Sequence, residues 1–190
     1  KTVSQAGPDA TFACASAGNH AQGFAYACRH FGVSGTVFMP VTTPQQKIQK
    51  TRVFGGENVE IKLEGDIFDQ CYAAAMDYAE QSGARFVPPF DHADIIEGQA
   101  TVALELLEQA GRPVDVLIIP VGGGGLAAGV TQVIRALSPK TRIVYVEPAG
   151  APSFKSSLEN QERVRLERVD NFEIRRIEMA QRINLRGPGD

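Results

Sequence analysis

The chain has 190 residues, of which 43% are hydrophobic and 22% are charged, and its formal net charge is −3. This composition is typical of a globular protein with a substantial core, and the small negative charge gives no support to a nucleic-acid or acidic-membrane partner. No apolar run approaches the roughly 20 residues that a membrane-spanning helix needs, so the sequence predicts no membrane partner either.

Short apolar strands alternate with helical patterns along most of the chain. Six segments rich in β-branched and aromatic residues predict strands: residues 11–15, 36–39, 59–63, 85–87, 114–121 and 143–146. Between them, Gly32 marks the end of one predicted helix, Thr42 or Thr43 would cap the next ahead of Pro44, and Asp66 would open a third. The alternation predicts an α/β fold with open, mostly parallel sheets.

The three cysteines, Cys14, Cys28 and Cys71, are widely spaced, and none belongs to a Cys-x-x-Cys pair. Such usage is typical of a reducing compartment, so we expect a cytoplasmic protein. Residues 1–5 lack the charged and then apolar pattern of a secretory signal peptide, which agrees with this expectation.

Four consecutive glycines at 122–125 separate the strand at 114–121 from a helix that begins near Leu126. The apolar strand is expected to be buried at the centre of a parallel sheet. Glycine lets the backbone bring several N–H groups close to a ligand, and the helix adds unpaired N–H groups and the positive end of its dipole. Four glycines in a row cost roughly 0.5–1 kcal/mol each relative to Ala, which favours a phosphate site over a simple tight turn.

The same stretch permits a second interpretation. Gly122, Gly124 and Ala127 fit a Gly-x-Gly-x-x-Ala pattern, and Glu147 ends the following strand, where dinucleotide-binding folds place an acidic residue. Four glycines satisfy this pattern in several registers, and several strand–helix units precede it, so the pattern is weak. A nicotinamide-dependent oxidoreductase therefore stays open as an alternative.

An earlier strand-to-helix junction carries the segment Ser16-Ala-Gly-Asn-His-Ala-Gln-Gly23. A Ser hydroxyl, an Asn amide, the N–H groups of a Gly turn and a helix N-terminus suit an anion such as a carboxylate. Such a junction lies at the edge where open parallel sheets bind ligands. Ordinary capping of the helix by Ser16 or Asn19 is an equally good interpretation of these residues alone.

Several motifs together resemble a known family. The segment from Ser16 to Gly23 and Val37-Phe-Met-Pro-Val-Thr-Thr-Pro44 are similar to the serine/threonine dehydratases, which are pyridoxal-phosphate enzymes of the tryptophan synthase β-chain fold, also called fold type II. Four further motifs follow in the family's order: Val87-Pro-Pro-Phe-Asp-His92, Gly98-Gln-Ala-Thr101, Val121-Gly-Gly-Gly-Gly-Leu126 and Glu147-Pro-Ala-Gly-Ala151. The resemblance covers residues 12–172.

The resemblance implies a cofactor, pyridoxal 5′-phosphate, and a role for each loop. N–H groups would bind the cofactor phosphate from Gly122, Gly123, Gly124, Gly125 and Leu126. Asn19 would hydrogen-bond the ring hydroxyl oxygen, and four residues would surround the substrate carboxylate: Ser16, Ala17, Gly18 and His20. The implied enzyme is a lyase that converts L-threonine by α,β-elimination to 2-oxobutanoate and ammonia in isoleucine biosynthesis, with L-serine as a further substrate. It would be a homo-oligomer.

The same resemblance implies a domain division. Residues 33–89 would form a smaller inserted α/β domain, while residues 1–32 and 90–172 would form part of a larger cofactor-binding domain. The Arg- and Glu-rich tail at 173–190 predicts an amphipathic helix. Residues 169–172 resemble family sequence well before the part that the tail resembles, so we expect residues 172 and 173 not to be contiguous.

Two family features have no counterpart in this sequence. The Schiff-base lysine would fall upstream of Lys1, because Lys47, Lys50 and Lys62 lie in the wrong segments, and the segment that faces the pyridine nitrogen is absent. No catalytic residue is therefore assigned within the chain. We expect part of a longer enzyme, with a catalytically inactive fragment or amino-acid-binding remnant as the alternative.

A metal site is not predicted. Some relatives bind a divalent cation beside the Glu-Pro segment through a second carboxylate a few residues on, but here that region reads Ala151-Pro-Ser-Phe154. We expect Glu147 instead to cap a helix or to join a surface salt bridge.

Overall fold

A computed structural model describes residues 2–7 and 9–164 and confirms the α/β prediction. The chain divides into two compact units, Lys1–Asp94 and Ile95–Asp190. None of the helices in the described residues is long and apolar enough to cross a membrane. The predicted tail helix and the expected break between residues 172 and 173 lie outside the described residues.

The first unit is built on a four-stranded parallel sheet. Its strands are β1 (Thr11–Ala15), β2 (Ser34–Met39), β3 (Val59–Leu63) and β4 (Arg85–Phe86). Their spatial order is β3-β2-β1-β4, so β1 is an inner strand with β2 on one side and β4 on the other. Since all strands are parallel, the residues that follow β1, β2 and β4 meet at one edge of the sheet.

This unit contains the helices α1 (Asn19–Phe31), α2 (Gln45–Gly55) and α3 (Phe68–Ser82), and a short 3₁₀ helix, Gly56–Asn58, directly follows α2. Successive side chains of a strand point to opposite faces. Gly35 of β2 faces α1, because a Cβ there would lie 2.6 Å from the Sγ atom of Cys28. Phe38 lies on the opposite face and packs with Cys71 and Ala75 of α3. Both faces of the sheet are therefore covered by helices, as expected for a parallel sheet.

The helix boundaries test the predicted start and stop signals. Gly32 ends α1 with φ at +66°, as predicted. The predicted hydroxyl cap of α2 is wrong, because that helix begins after Pro44 without a side-chain cap and Thr42 donates its hydroxyl to the Asp66 carbonyl, 24 residues away. Asp66 also does not open α3, which begins at Phe68, two residues later than predicted.

The remaining elements are α4 (Ala93–Ala110), β5 (Val116–Pro120), α5 (Gly125–Leu137), β6 (Arg142–Val146) and α6 (Ser153–Asn160). In the second unit β5 and β6 form a parallel pair. Its core contains Ile119 of β5, Ile134 of α5 and Tyr145 of β6. The prediction that β5 is buried is wrong for this structure: Ile118 is 63% exposed, because within the described residues β5 has only β6 as a neighbour.

The domain division implied by the resemblance concerns the longer protein and stays a prediction. Within this chain, residues 1–32 belong to the same compact unit as residues 33–89. The reason is visible in the sheet, where β1 pairs with both β2 and β4.

Candidate cofactor and substrate loops

The segment of residues 16–20, here called the substrate loop, lies at the carboxyl edge of the first sheet. It follows β1 directly, and the Ser16 N–H donates to the Phe38 carbonyl of β2 over 3.0 Å. The five candidate residues lie together at the junction of β1 and α1: Ser16, Ala17 and Gly18 connect the two elements, and Asn19 and His20 are the first residues of α1. Their position is the ligand-binding edge of an open parallel sheet.

The N-terminus of α1 has no side-chain cap. The Ser16 hydroxyl accepts a hydrogen bond from the Gly18 N–H over 3.1 Å, which fixes the turn but does not cap the helix. Asn19 is the first helical residue, and its side chain is exposed. Among the described residues, no acceptor bonds the backbone N–H groups of Asn19 and His20. Capping by Ser16 or Asn19 is therefore wrong, and the turn presents free donors that suit a carboxylate.

The His20 side chain is held by a distant part of the chain. Its Nε2 atom lies 3.2 Å from the carbonyl oxygen of Val87, the residue that follows β4. Burial lowers the pKa of His20 from its ordinary value of 6.5, although the bond to the Val87 carbonyl acts in the opposite direction. The ring is therefore neutral at physiological pH.

The segment of residues 122–126, here called the glycine loop, joins β5 to α5. Gly124 is the N-cap residue of α5 and has φ at +86°, a conformation that side chains rarely adopt. A Cβ at Gly122 or Gly124 would meet nothing within 4 Å, so the space beside the backbone is open. The loop can therefore accept a group close to its main chain.

The electrostatics of the glycine loop suit an anion. The Val121 N–H donates to the Val146 carbonyl over 2.8 Å, and the Ala128 N–H donates to the Gly124 carbonyl over 2.8 Å. Between these two bonds, no acceptor among the described residues bonds the N–H groups of residues 122–127. The first turn of α5 contains no acidic residue and has no side-chain cap. Several free donors at the positive end of a helix fit the phosphate group of pyridoxal phosphate.

The glycine loop rests on close packing behind it. A Cβ at Gly129 of α5 would lie 2.2 Å from the Ile96 carbonyl oxygen of α4, so the two helix backbones touch. The Thr131 and Tyr145 hydroxyls are 2.7 Å apart and buried, which joins α5 to β6. Sequence reasoning missed this pair, although a Tyr inside an apolar strand signals a hydroxyl that needs a partner.

Glu147 caps a helix, as expected. Its two carboxylate oxygens accept hydrogen bonds from the N–H groups of Phe154 and Lys155, over 2.9 and 2.6 Å, at the start of α6. A carboxylate at this end also complements the helix dipole. Across residues 2–7 and 9–164, no group of three or more His, Cys, Asp or Glu side chains could hold a metal ion, and the absence of a metal stays a prediction.

Comparison with known proteins identifies the class. A family model described as pyridoxal-phosphate dependent enzyme matches residues 2–182, so the chain belongs to that family. The family description names the cofactor that the motifs implied, and it does not name a dinucleotide. The glycine loop and the substrate loop both lie within the matched region.

Three similar proteins are named as threonine dehydratases or a threonine deaminase. The biosynthetic L-threonine dehydratase IlvA of Halalkalibacterium halodurans is 44% identical over 159 residues, which are 84% of this chain and 38% of that protein. Its counterpart in Corynebacterium glutamicum is 47% identical over 167 residues, with coverages of 86% and 38%. The processed form of threonine deaminase isoform 2 from Solanum lycopersicum has a TM-score of 0.80 at 40% identity, covering 89% of this chain and 46% of that one.

These findings confirm the resemblance to the serine/threonine dehydratases, through relatives named as threonine dehydratases, and they confirm the fold class. The chain spans less than half the length of these three relatives. The fold of the described residues is therefore that of a part of such an enzyme.

Proposed function

We propose that this chain supplies the glycine loop and the substrate loop of a threonine ammonia-lyase, which converts L-threonine to 2-oxobutanoate and ammonia for isoleucine biosynthesis and also accepts L-serine. The observation that carries the proposal is the set of free N–H groups at residues 122–127, in a chain 44–47% identical to named threonine dehydratases. The substrate loop supports it, because its free donors suit an amino-acid carboxylate.

The residues of this chain would bind the cofactor and orient the substrate. N–H groups of the glycine loop would hold the cofactor phosphate, and the Asn19 amide, which is exposed and not used as a cap, would bond the ring oxygen. The substrate carboxylate would lie against the turn of Ser16, Ala17, Gly18 and the His20 backbone, which leaves the α-carbon and β-hydroxyl of threonine free to react. Pyridoxal phosphate, when bound, supplies an electron sink for the charge that forms when the α-proton leaves.

The group that removes the α-proton is expected outside these residues. Lys47 and Lys50 lie on α2, Lys62 lies on β3, Lys155 lies on α6 and Lys140 lies between α5 and β6, so none of these lysines is in either loop. Lys62 instead lies over the Tyr78 ring, with its Nζ atom 4.3 Å from the ring centroid. This placement supports the proposal that the cofactor-bonding lysine belongs to a further segment of the protein.

The test uses the full-length protein, purified after expression with pyridoxal phosphate. We expect visible absorbance from bound cofactor, and we expect 2-oxobutanoate and ammonia to form in equal amounts from L-threonine. Bound cofactor without turnover of threonine or serine would refute the lyase and favour the amino-acid-binding remnant. Absence of the cofactor together with binding of NAD would favour the oxidoreductase.

We further propose a homo-oligomer in the cytoplasm. The supporting observation for the compartment is that Cys14, Cys28 and Cys71 are all free and buried in the first unit. Light scattering of the purified protein tests the oligomer, and fractionation of the source cells tests the location.

A further inference from the structure

We propose that His20 is a positioning residue, whose imidazole ties the substrate loop to the chain that follows β4 and does not act as a charged ligand of the substrate. This inference rests on the proposed function and deepens it, because it assigns the task of one side chain within the site. It concerns the side chain of His20 and leaves its backbone N–H free to bind the carboxylate.

The substrate loop is fastened on two sides. On one side the Ser16 N–H donates to the Phe38 carbonyl of β2 over 3.0 Å. On the other side the His20 Nε2 atom contacts the Val87 carbonyl, 67 residues away in sequence, over 3.2 Å. Since β1 lies between β2 and β4, these two bonds fix the loop to both neighbours of the strand from which it emerges.

Val87 is a firm anchor for this bond. Its N–H donates to the Ala13 carbonyl of β1 over 2.8 Å, and its side chain is 7% exposed. The two prolines that follow, Pro88 and Pro89, restrict the backbone beyond it. The Val87 carbonyl is therefore held in place independently of His20, and the histidine is the movable partner.

The bond fixes the chemical form of the ring. A carbonyl oxygen only accepts hydrogen bonds, so Nε2 must carry the hydrogen. In the neutral ring Nδ1 is then an acceptor, which repels a carboxylate and cannot donate to it. The side chain is thus unsuited to bind the substrate carboxylate, and the free backbone N–H groups of the loop are suited to it.

Two replacements separate positioning from ring chemistry. Glutamine places its amide nitrogen about as far along the side chain as Nε2, so His20→Gln can keep a neutral donor to the Val87 carbonyl. Asparagine reaches only as far as Nδ1, so His20→Asn removes the bond with a similar polarity. His30→Asn, at the exposed far end of α1, is the matched control for a histidine change on the same helix.

The kinetic test uses the full-length holoenzyme. We expect His20→Gln and His30→Asn to stay within about threefold of the wild-type KM for threonine, and His20→Asn to raise KM by about tenfold with a smaller change in kcat. Equal impairment of His20→Gln and His20→Asn would show that the ring itself is needed and would overturn the proposal. Unchanged kinetics in both would overturn it too.

A second measurement does not depend on activity. In the cofactor-free full-length protein, amide hydrogen exchange of a peptide covering residues 16–22 should be about tenfold faster in His20→Asn than in wild type, and unchanged in His20→Gln. Equal exchange in wild type and His20→Asn would refute the positioning role. If the wild-type protein does not deaminate threonine, the proposed function fails while the exchange result still decides whether His20 holds the loop.

Discussion

At the scale of single residues, His20 links the candidate site to pH. Burial lowers its pKa below the ordinary 6.5, so between the two values the unfolded protein binds more protons than the folded one. Stability from this group is therefore fully present above about pH 6.5 and is lost as pH falls through the folded-state pKa. We expect urea unfolding of the cofactor-free protein to show a larger loss of unfolding free energy from pH 7.5 to 5.5 in wild type than in His20→Gln.

His30→Gln is the control for this measurement, because it removes an exposed histidine from the same helix. Identical pH dependence in wild type and His20→Gln would contradict the assignment of a half-buried, neutral ring.

At Gly124 the backbone conformation disfavours a side chain, although the surrounding space would accommodate one. Its φ of +86° disfavours any side chain, while the space around it is open. Replacing it with alanine should therefore cost about 1–2 kcal/mol of unfolding free energy through backbone strain alone. Gly122→Ala is the matched control, since Gly122 has equally open space and no positive φ. Urea unfolding of the cofactor-free protein checks this, and equal stability of the two variants would contradict it.

Some residue roles could be predicted from sequence and others could not. The left-handed Gly32 follows from a local rule about helix ends, and the sequence contains everything that the rule needs. The prediction of a cap at Thr42 is wrong because the Thr42 hydroxyl donates to the Asp66 carbonyl, which is distant in sequence and comes close only in the folded chain. The hydrogen bond between His20 and Val87 joins residues that are 67 positions apart in sequence, so no local sequence pattern predicts it.

At the scale of elements, the packing of α4 against α5 supports the glycine loop from behind. A Cβ on Gly129 would approach the Ile96 carbonyl oxygen at 2.2 Å and the Ala100 nitrogen at 2.7 Å, and both are backbone atoms that cannot move aside alone. Gly129→Ala should therefore push the helices apart and lower the unfolding free energy by about 1–3 kcal/mol. We expect a weaker affinity for pyridoxal phosphate in addition, because α5 carries the free donors.

Gly98→Ala provides the contrast on α4. A Cβ there meets nothing within 4 Å, so alanine should raise stability by up to about 1 kcal/mol through its helix propensity. Urea unfolding of the two variants and cofactor titration of each measure these effects. If Gly129→Ala were as stable as wild type, the close contact between the helices would be refuted.

The order of the elements shows why most of the fold could be predicted from the sequence. Strand–helix alternation and the two strand-to-helix loops follow from short-range patterns, and both loops lie where the motifs put them. The burial of β5 could not be predicted in the same way. An apolar strand sequence indicates that the strand needs neighbours on both sides and faces, but it does not indicate whether those neighbours belong to the same stretch of chain. Ile118 is 63% exposed, so this apolar side chain of β5 is uncovered within the described residues.

At the scale of the whole molecule, chemical labelling of the three cysteines can measure whether the first unit unfolds in a single cooperative step. Cys14 lies on β1, Cys28 on α1 and Cys71 on α3, and all three are buried. Burial raises the pKa of Cys28 to about 12 and that of Cys71 to about 11, and it raises the pKa of Cys14 well above its ordinary value. Little thiolate therefore exists at pH 8, and thiol reagents attack the thiolate.

We expect peptide mass spectrometry to find these three cysteines unlabelled by iodoacetamide in the native protein at pH 8, and fully labelled in urea. Because the three lie on one sheet and on the helices that cover its two faces, their labelling should rise together at intermediate urea concentrations. Early labelling of Cys71 alone would show that α3 detaches before the sheet unfolds, and would contradict a single cooperative unit. Joint labelling would mean that β1 and α1, the two elements that the substrate loop connects, unfold together, and a carboxylate site made of backbone donors requires such a rigid support.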